Sequence, residues 1–400
     1  MGGVLEGIRV LDFGRYIAGP FCGCVLAELG AEVIRVEKVD GSEDRFTTPV
    51  GEGPDGEGLI GAGYLHLNRN KLGIALDPAK PKGRELVRKL VRTADVVVAN
   101  LPIDTLRAMG LDYESLKAIK PDIILAMSST FGEVGPYAER VGFDGIAQAM
   151  CGNMHLSGWP GQPVKSWVPW TDFGTALLTA VAVMAALMHR ARTGRGQCVE
   201  GSLLATALAC NNASLIEQAV LDINRVGSGN RGQTGAPADV FRCKDGSILV
   251  RVVGAPMFKR WARLMGEDHW LTDPRFKTDI DRGNNGLVIS ERMQAWCENL
   301  DCAEAISILE SARIPCAKVY APAEVLADPH VQAGGFLKQQ QYPGVAGDYP
   351  VMARLFRMSD SEVGVRSRAP TLGEHTQEIL SQIGVGPEEL AELRAKHVVR

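Results

Sequence analysis

What this 400-residue chain lacks narrows it first. It has no Gly-x-Ser-x-Gly elbow, no Gly-x-x-x-x-Gly-Lys-Ser/Thr loop and no His-Glu-x-x-His helix. The common serine hydrolase, nucleotide triphosphate and zinc protease readings are therefore unsupported. Its nine cysteines are an odd number with no Cys-x-x-Cys among them. Cys22 and Cys24 make only a Cys-x-Cys pair, and no histidine cluster completes a tetrahedral site, so no metal is expected. The seven histidines (66, 155, 189, 269, 330, 375 and 397) are dispersed, and each is more often a surface or satisfied core residue than a general base. No basic block stands out and the net charge is -4, which argues against nucleic acid as a partner. Residues 1–7 lack the charged-then-apolar pattern of a secretory signal, so a cytoplasmic chain with reduced thiols is expected.

What remains is a soluble globular composition, 46% hydrophobic and 22% charged. Four hundred residues exceed one ordinary core, which implies two domains or one α/β domain carrying an insertion. Residues 8–13 form a short apolar strand, Pro20 to Leu29 a helix stopped by Gly30, and residues 31–37 a second strand. Gly14, Gly19 and Gly23 are not spaced as Gly-x-Gly-x-x-Gly, so this βαβ unit lacks the phosphate-cradling turn of a dinucleotide site. Residues 40–63 are expected to be a long Gly-rich loop. Strands at 71–77, 94–100 and 123–129 alternate with helices at 80–93 and 106–119, which reads as a doubly wound parallel sheet. Composition shifts after the polar, Gly-rich stretch 225–236, where a hairpin with Asp245-Gly246 at its turn precedes helices holding Trp261, Trp270 and Trp296. The expected organisation is a large Rossmann-like domain from 1–224 and 330–400 and a small α+β domain from 225–329.

The central feature is the stretch from Val168 through Asp172 and an apolar run to Met188. Thr171 or Asp172 suits a helix N-cap, the basic residues after Met188 suit the negative helix end, and Gly194 suits the stop. Residues 173–188 fall short of the about 18 apolar residues of a membrane span, so no membrane partner is expected. An Asp at a helix start is usually only a cap. Yet an Asp of ordinary pKa is more than about 99% ionised at pH 7 and needs no base to act as a nucleophile. Free N–H groups at a helix start also favour such a carboxylate.

Several stretches, taken in order, resemble the class III CoA-transferases, the formyl-CoA and carnitine CoA-transferase family. They are residues 5–12, Ala18-Gly19-Pro20, residues 29–37, Asn70-Lys71 with Leu76-Asp77, residues 94–100, Asp172 with its helix, residues 193–197, and residues 372–376. The resemblance implies an interlocked homodimer, or a pairing with a paralogous subunit, and an acyl-CoA substrate whose coenzyme A passes to a carboxylic acid. It places the catalytic Asp on Asp172, acting through an aspartyl mixed anhydride and an aspartyl-CoA thioester. Coenzyme A contacts carry over to Arg15, Tyr16, Ile17, Ala18, Lys38, Asn70, Lys71, Asn100, Leu101, Arg107 and Met109. Ile17 stands where the formyl-CoA branch has a Gln, and Ala108 where it has a CoA-binding Arg, so formate and oxalate specificity is not implied. Gly229, Gly232 and Gln233 resemble a Gly loop that covers the intermediates.

The same fold includes 2-methylacyl-CoA racemases, which use the His of a Gly-His-Asp motif. Here the matching stretch is Gly142-Phe143-Asp144, and Phe143 carries no proton. Transfer is favoured over racemisation, with Asp144 free to hydrogen-bond near Asp172 or to cap a helix. A non-catalytic CoA-binding subunit is a third reading, and the retained Asp172 counts against it. Trp159, Trp167 and Trp170 are either core and rim aromatics or the walls of a pocket for an aromatic or branched acid.

Overall fold

The computed structural model describes residues 2–54 and 58–400. Met1 of the N-terminal stretch, and Asp55, Gly56 and Glu57 of the expected Gly-rich loop, lie outside the described residues. The chain forms two compact units, one from Met1–Cys151, Ser166–Ala213 and Gln332–Arg400, the other from Gly152–Lys165 and Ser214–Val331.

In the large unit the elements run β1 (Arg9–Asp12), α1 (Ala18–Glu28), β2 (Glu32–Glu37), β3 (Pro49–Glu52), β4 (Leu59–Gly61), α2 (Ala62–Leu67), β5 (Lys71–Ala75), α3 (Pro81–Thr93) and β6 (Val96–Ala99). They continue with α4 (Ile103–Met109), α5 (Tyr113–Ile119), β7 (Ile124–Ser129) and α6 (Asp144–Met150). After α7 (Asn153–Ser157), which belongs to the small unit, come α8 (Trp170–Thr193), β8 (Cys198–Ser202) and α9 (Leu203–Leu221), whose residues from Ser214 on belong to the small unit. Six strands make one parallel sheet in the order β5-β2-β1-β6-β7-β8.

The strands are apolar on both faces because helices cover both. Leu11, Ile34, Val97 and Leu125 point into one core with Leu86 and Leu90 of α3, whereas Val10, Val33, Val98 and Ala126 point into the other with Val25 of α1 and Ala180 of α8. At about 1.5–3 kcal/mol per fully buried aliphatic side chain, such strands are stable only between two helical layers. The closing helices Thr376–Gln382 and Pro387–Ala395 add Ile379, Leu380, Leu390 and Leu393 to the first core.

Three expectations change. The stretch 40–63 is not one loop: it holds a 3-10 turn at Glu43–Phe46 and the antiparallel pair β3 and β4. Its order comes from buried Arg45, which pairs with Glu37 at 2.7 Å and stacks over the Tyr64 ring at 3.9 Å, partners that lie outside the stretch. The helical segment 106–119 is two helices, α4 stopped by Gly110 at φ 70° and α5 restarted by Asp112, whose side chain accepts from the Ser115 amide at 3.1 Å. Helix α8 outruns the apolar run at both ends, and with 24 residues, an 18-residue stretch of which has mean hydropathy 1.6, it meets the length and apolarity of a membrane span. Packing against α1, β7 and β8 makes it a core helix, with the hydroxyls of Thr171, Thr175 and Thr179 buried along that face. Gly194 closes it at φ 70°.

In the small unit a three-stranded antiparallel sheet has the order β11-β10-β9, with β9 at Ala238–Cys243, β10 at Gly246–Arg251 and β11 at Cys316–Lys318. Lys244 and Asp245 form the two-residue turn and Gly246 already pairs with Cys243. Trp261 is fully buried, with Phe258 stacked 5.5 Å and Trp270 5.8 Å from it. The unit also takes in residues 152–165, 214–224 and 330–331, which the sequence pattern assigned to the large domain. Hydrogen bonds between the two stretches explain the excursion: the Gly229 amide donates to the Gly158 carbonyl at 2.8 Å, and the His155 ring nitrogen Nε2 lies 3.1 Å from the Arg225 carbonyl.

Candidate active site

The chain leaves β1 towards β2 and β5 but leaves β6 towards β7 and β8, so the segments following β1 and β6 diverge from adjacent strands. A crevice at such a switch point, outside the carboxyl ends of parallel strands, is where open α/β sheets bind ligands. Here the turn after β1 is fixed from below. The Asp12 carboxylate accepts from the Gly14 amide at 2.8 Å and from Lys71 Nζ at 2.7 Å. Burial alone pushes Asp12 up, but the charges of Lys71 and Arg35 and these hydrogen bonds outweigh it and hold the carboxyl below its ordinary value. Lys71 Nζ donates further to the Pro20 carbonyl at 2.7 Å and to Asn68 Oδ1 at 2.9 Å. Asn100, just past β6, clamps the same turn: its Oδ1 accepts from the Arg15 amide at 2.6 Å and its Nδ2 donates to the Arg15 carbonyl at 2.8 Å. Gly19 is required there, since a Cβ would stand 2.7 Å from Gly14 Cα and 2.9 Å from Asn100 Oδ1.

The start of α8 reaches the same edge of the sheet, with Phe173 edge-on to Phe21 of α1 at 4.9 Å between ring centres. Asp172 is the third residue of this helix, not its cap. Pro169 precedes the helix and offers no side-chain acceptor, and the capping is done from outside by Asp144, the first residue of α6. Asp144 Oδ1 accepts from the Thr171 amide at 2.9 Å, from Thr171 Oγ1 at 2.6 Å and, more weakly, from the Asp172 amide at 3.4 Å. The N–H groups expected to favour Asp172 are thus spent on a second carboxylate.

Asp172 itself accepts no hydrogen bond from any described side chain or amide. Burial, and then the negative charge of Asp144, push its carboxyl up from 3.8 to about 7. At neutral pH it is therefore about half ionised rather than fully so. The His66 ring lies 5.9 Å from Phe21 and 6.0 Å from Phe173, the residue after Asp172. Burial, helped by Arg69, lowers its pKa to about 4, so it brings no charge to Asp172. A partly desolvated carboxylate that accepts no hydrogen bond and faces another anion can attack an electrophile. Asp12 and Asp144, each saturated with donors, are structural by the same criterion.

The remaining expected site residues divide. Tyr16, at φ 58°, is exposed and meets Phe143 edge-on at 5.6 Å, while Ile17 and Ala18 open α1 beside them. Phe143 is 59% exposed and Asp144 follows it, so the structure brings Tyr16, Phe143, Asp144 and Asp172 to one edge of the sheet. Leu101 and Met109 are half-buried against the first core. Lys38 and Arg107 are exposed, paired with Glu43 and with Asp104 respectively.

Four side chains expected to touch coenzyme A are engaged within the protein, Asn100 with the Arg15 backbone as described above. Lys71 is buried in the Asp12 pair, and Arg15 turns inward to the Phe13, Gly14 and Val36 carbonyls. Asn70, at φ 64°, donates to the Gly364 carbonyl at 2.9 Å and accepts from the Arg366 and Ser367 amides at 2.6 and 2.9 Å. Nothing in a local motif shows these distant partners. Gly229, Gly232 and Gln233 lie in the small unit. There Gly229, at φ 65°, has Trp159 Nε1 2.7 Å from where a Cβ would stand, Gln233 Nε2 donates to the Val226 carbonyl at 2.6 Å, and Gly232 helps line a cavity of about 170 Å³. Sequence reasoning passed over His66 and Gln148; the Asp144-to-Gln148 spacing of four on a helix was the available sign. Among the described residues no group of three or more His, Cys, Asp or Glu is arranged to hold a metal.

Residues 5–376 match the model of CoA-transferase family III. The chain is 33% identical to a succinate–glutarate CoA-transferase of Agrobacterium fabrum, over 95% of both chains. It is 33% identical to a succinyl-CoA–D-citramalate CoA-transferase of Chloroflexus aurantiacus, over 99% of this chain and 98% of that one. Among solved structures, a CAIB/BAIF family protein from Brucella suis superposes with a TM-score of 0.84 at 32% identity, covering 96% of this chain and all of that one.

Proposed function

The chain belongs to CoA-transferase family III and is an enzyme of that family, and from this premise we propose that Asp172 carries the transfer as a covalent nucleophile. The observation that carries the reading is the Asp172 carboxylate itself, half-buried at the start of α8, unbonded and pushed up to about 7. An Asp Oδ attacks the carbonyl of an acyl-CoA thioester, the C–S bond breaks, and a mixed anhydride and CoA thiolate result. The thiolate attacks the Asp172 carbonyl, releasing the donor acid and leaving an aspartyl-CoA thioester. An incoming carboxylate repeats the exchange in reverse: it displaces the thiolate to form a second anhydride, and the thiolate then takes the acceptor acyl group and frees Asp172. No proton has to be moved at any of these steps, which suits a site whose neighbouring carboxylate, Asp144, is already occupied by donors.

The crevice between the segments after β1 and β6 is the proposed coenzyme A site, with Tyr16, Ile17, Ala18 and Leu101 at its wall. Lys38 and Arg107, both exposed and each in a weak surface pair, are cations able to leave their partners for phosphate groups. An interlocked dimer is supported by the family and by an apolar face of α8 left exposed at Leu177, Leu178, Val181 and Met188. The nine free cysteines fit a cytoplasmic chain. The relatives named above carry succinate, glutarate or citramalate in their names. The acceptor and donor screen therefore starts with succinyl-CoA and short dicarboxylic acids.

Hydroxylamine tests the mechanism. Incubated with succinyl-CoA, the wild type is expected to be trapped as a hydroxamate at Asp172, and Asp172→Ala to lose both the adduct and transfer. An adduct elsewhere, or full transfer by the variant, sinks the proposal. With Phe143 in place of a proton-bearing residue, no deuterium wash-in at the α-carbon is expected.

A further inference from the structure

We infer that Gln148 is a positioning residue for the Asp172 nucleophile, acting through the Asp144 carboxylate and through the Ser166–Pro169 segment that leads into α8. The inference rests on Asp172 being the nucleophile. Gln148 is fully buried on α6, and all of its amide is engaged. Its Nε2 donates to Asp144 Oδ2 at 2.5 Å and approaches the Val168 carbonyl at 3.5 Å, while its Oε1 accepts from the Ser166 amide at 3.0 Å.

This arrangement has one satisfactory orientation. Turned over, the amide oxygen faces a carboxylate and the NH2 faces an amide N–H, so two acceptors meet at one end and two donors at the other. Glutamate in its ionised form fails the same test at the Asp144 end. The consequence for Asp144 is a division of labour between its oxygens. Oδ2 is held by Gln148, which leaves Oδ1 aimed at the Thr171 amide, the Thr171 hydroxyl and the Asp172 amide. One side chain thus fixes both the anion that caps α8 and the backbone on either side of Trp167, the last residues before the nucleophile's helix. Trp167 itself is 95% exposed, so this backbone is not ordered by burial of its own side chain; the buried amide orders it instead.

Asp144 on α6 is the one charge that shifts Asp172, so a change at Gln148 reaches the nucleophile through Asp144. Loss of the Gln148 donor makes the Asp144 charge less favourable at its present position. Asp144, no longer held through Oδ2, turns away from α8, which relieves the repulsion on Asp172.

The test uses full-length Gln148→Leu, which keeps the volume, and Gln148→Asn, which keeps the amide one methylene short, with urea unfolding of each as a check on folding. The readouts are steady-state transfer from succinyl-CoA as a function of pH, and hydroxylamine trapping. Both variants are expected to lose kcat by on the order of 10- to 100-fold, the scale of an ångström-level misplacement. KM for succinyl-CoA is expected within about twofold of wild type, and the acid limb of the kcat profile to move to lower pH. Folded variants with wild-type kcat and an unmoved limb overturn the inference. So does a loss confined to KM. The nucleophile reading is judged separately: if wild type gives no Asp172 hydroxamate, that reading fails whatever the Gln148 variants do, and if wild type is trapped while the variants behave normally, only the positioning role fails.

Discussion

Replacing Asp172 by Asn is expected to make the protein more stable, and by an amount that depends on pH. The carboxyl is raised from 3.8 in the unfolded chain to about 7 in the folded one. The shift is about 3 pKa units, and at about 1.36 kcal/mol per unit the ionised form costs the fold about 4 kcal/mol. Because the residue is only half-buried, solvent screening lowers this to about 2 to 4 kcal/mol. The sign follows from the direction of the shift. Below the unfolded value both states are protonated and the penalty is absent. As pH rises from about 4 to 7 the unfolded chain ionises while the folded site resists, so the penalty grows, and above about 7 it is complete.

Urea unfolding of wild type and Asp172→Asn at intervals from pH 4 to pH 9 measures the difference directly. Most other titrating groups cancel between the two proteins. The gain should be near zero at pH 4, increase through pH 6 and level off above pH 7.5. The same group sets an acid limb near pH 7 in kcat/KM of the wild type, since only the carboxylate attacks. A variant no more stable than wild type at pH 8.5, or a difference that stays flat across the range, refutes the claim that Asp172 is held in the fold at an energetic cost. Such a cost is what a site kept for reactivity rather than for stability should show.

Asp144→Asn removes the charge facing Asp172 but keeps an oxygen for the Thr171 amide, and should move the acid limb of kcat/KM to lower pH, while its NH2, set against the Gln148 NH2 that now donates to Oδ2, costs about 1–3 kcal/mol in urea unfolding; an unmoved limb contradicts the electrostatic coupling. Lys71→Met leaves Asp12 buried with only the more distant Arg35, 3.9 Å away, and should destabilise by about 3–5 kcal/mol. A rise in KM for acyl-CoA without loss of stability would instead restore Lys71 as a ligand contact. Asn100→Ala strips the Arg15 amide and carbonyl of their partners, so unfolding should be easier by about 1–3 kcal/mol. It should also raise KM for acyl-CoA more than it lowers kcat, because the crevice wall and not the nucleophile is loosened; equal effects on both parameters argue against a coenzyme A site there.

Much of the fold was legible because its signals are local and periodic. The strands are short apolar runs buried on both faces, and α3 opens on Pro81. The start and stop of α8 were nearly correct because Gly194 needs a left-handed backbone at its end. The hairpin in 40–63 was missed because its order comes from Arg45, whose partners Glu37, Tyr64 and Tyr342 sit elsewhere in the sequence. The small unit's claim on residues 152–165 was missed because hydrogen bonds to residues 225–229 leave no mark on composition. The catalytic candidate was legible by family and position, and so was Asp144 as a hydrogen-bonding neighbour, but the sequence offered Thr171 or Asp172 as the cap of α8 where the structure uses Asp144. Asp144 and Asp172 are 28 residues apart, and only folding decides which of them takes the helix N–H groups.

The sequence by itself determined that this is an α/β chain with an Asp at the head of an apolar helix, and that Phe143 removes the proton-carrying residue of the racemase pattern. Periodicity, turn residues and the identity of single side chains suffice for those conclusions. Tertiary structure alone decided that Lys71, Arg15 and Asn70 hold the scaffold and that Gln148 and Asp144 order the start of α8. It alone decided that Asp172 is left unbonded with a carboxyl near neutrality. Burial and the distance between charges are properties of the folded chain, and the ionisation of a carboxylate depends on both.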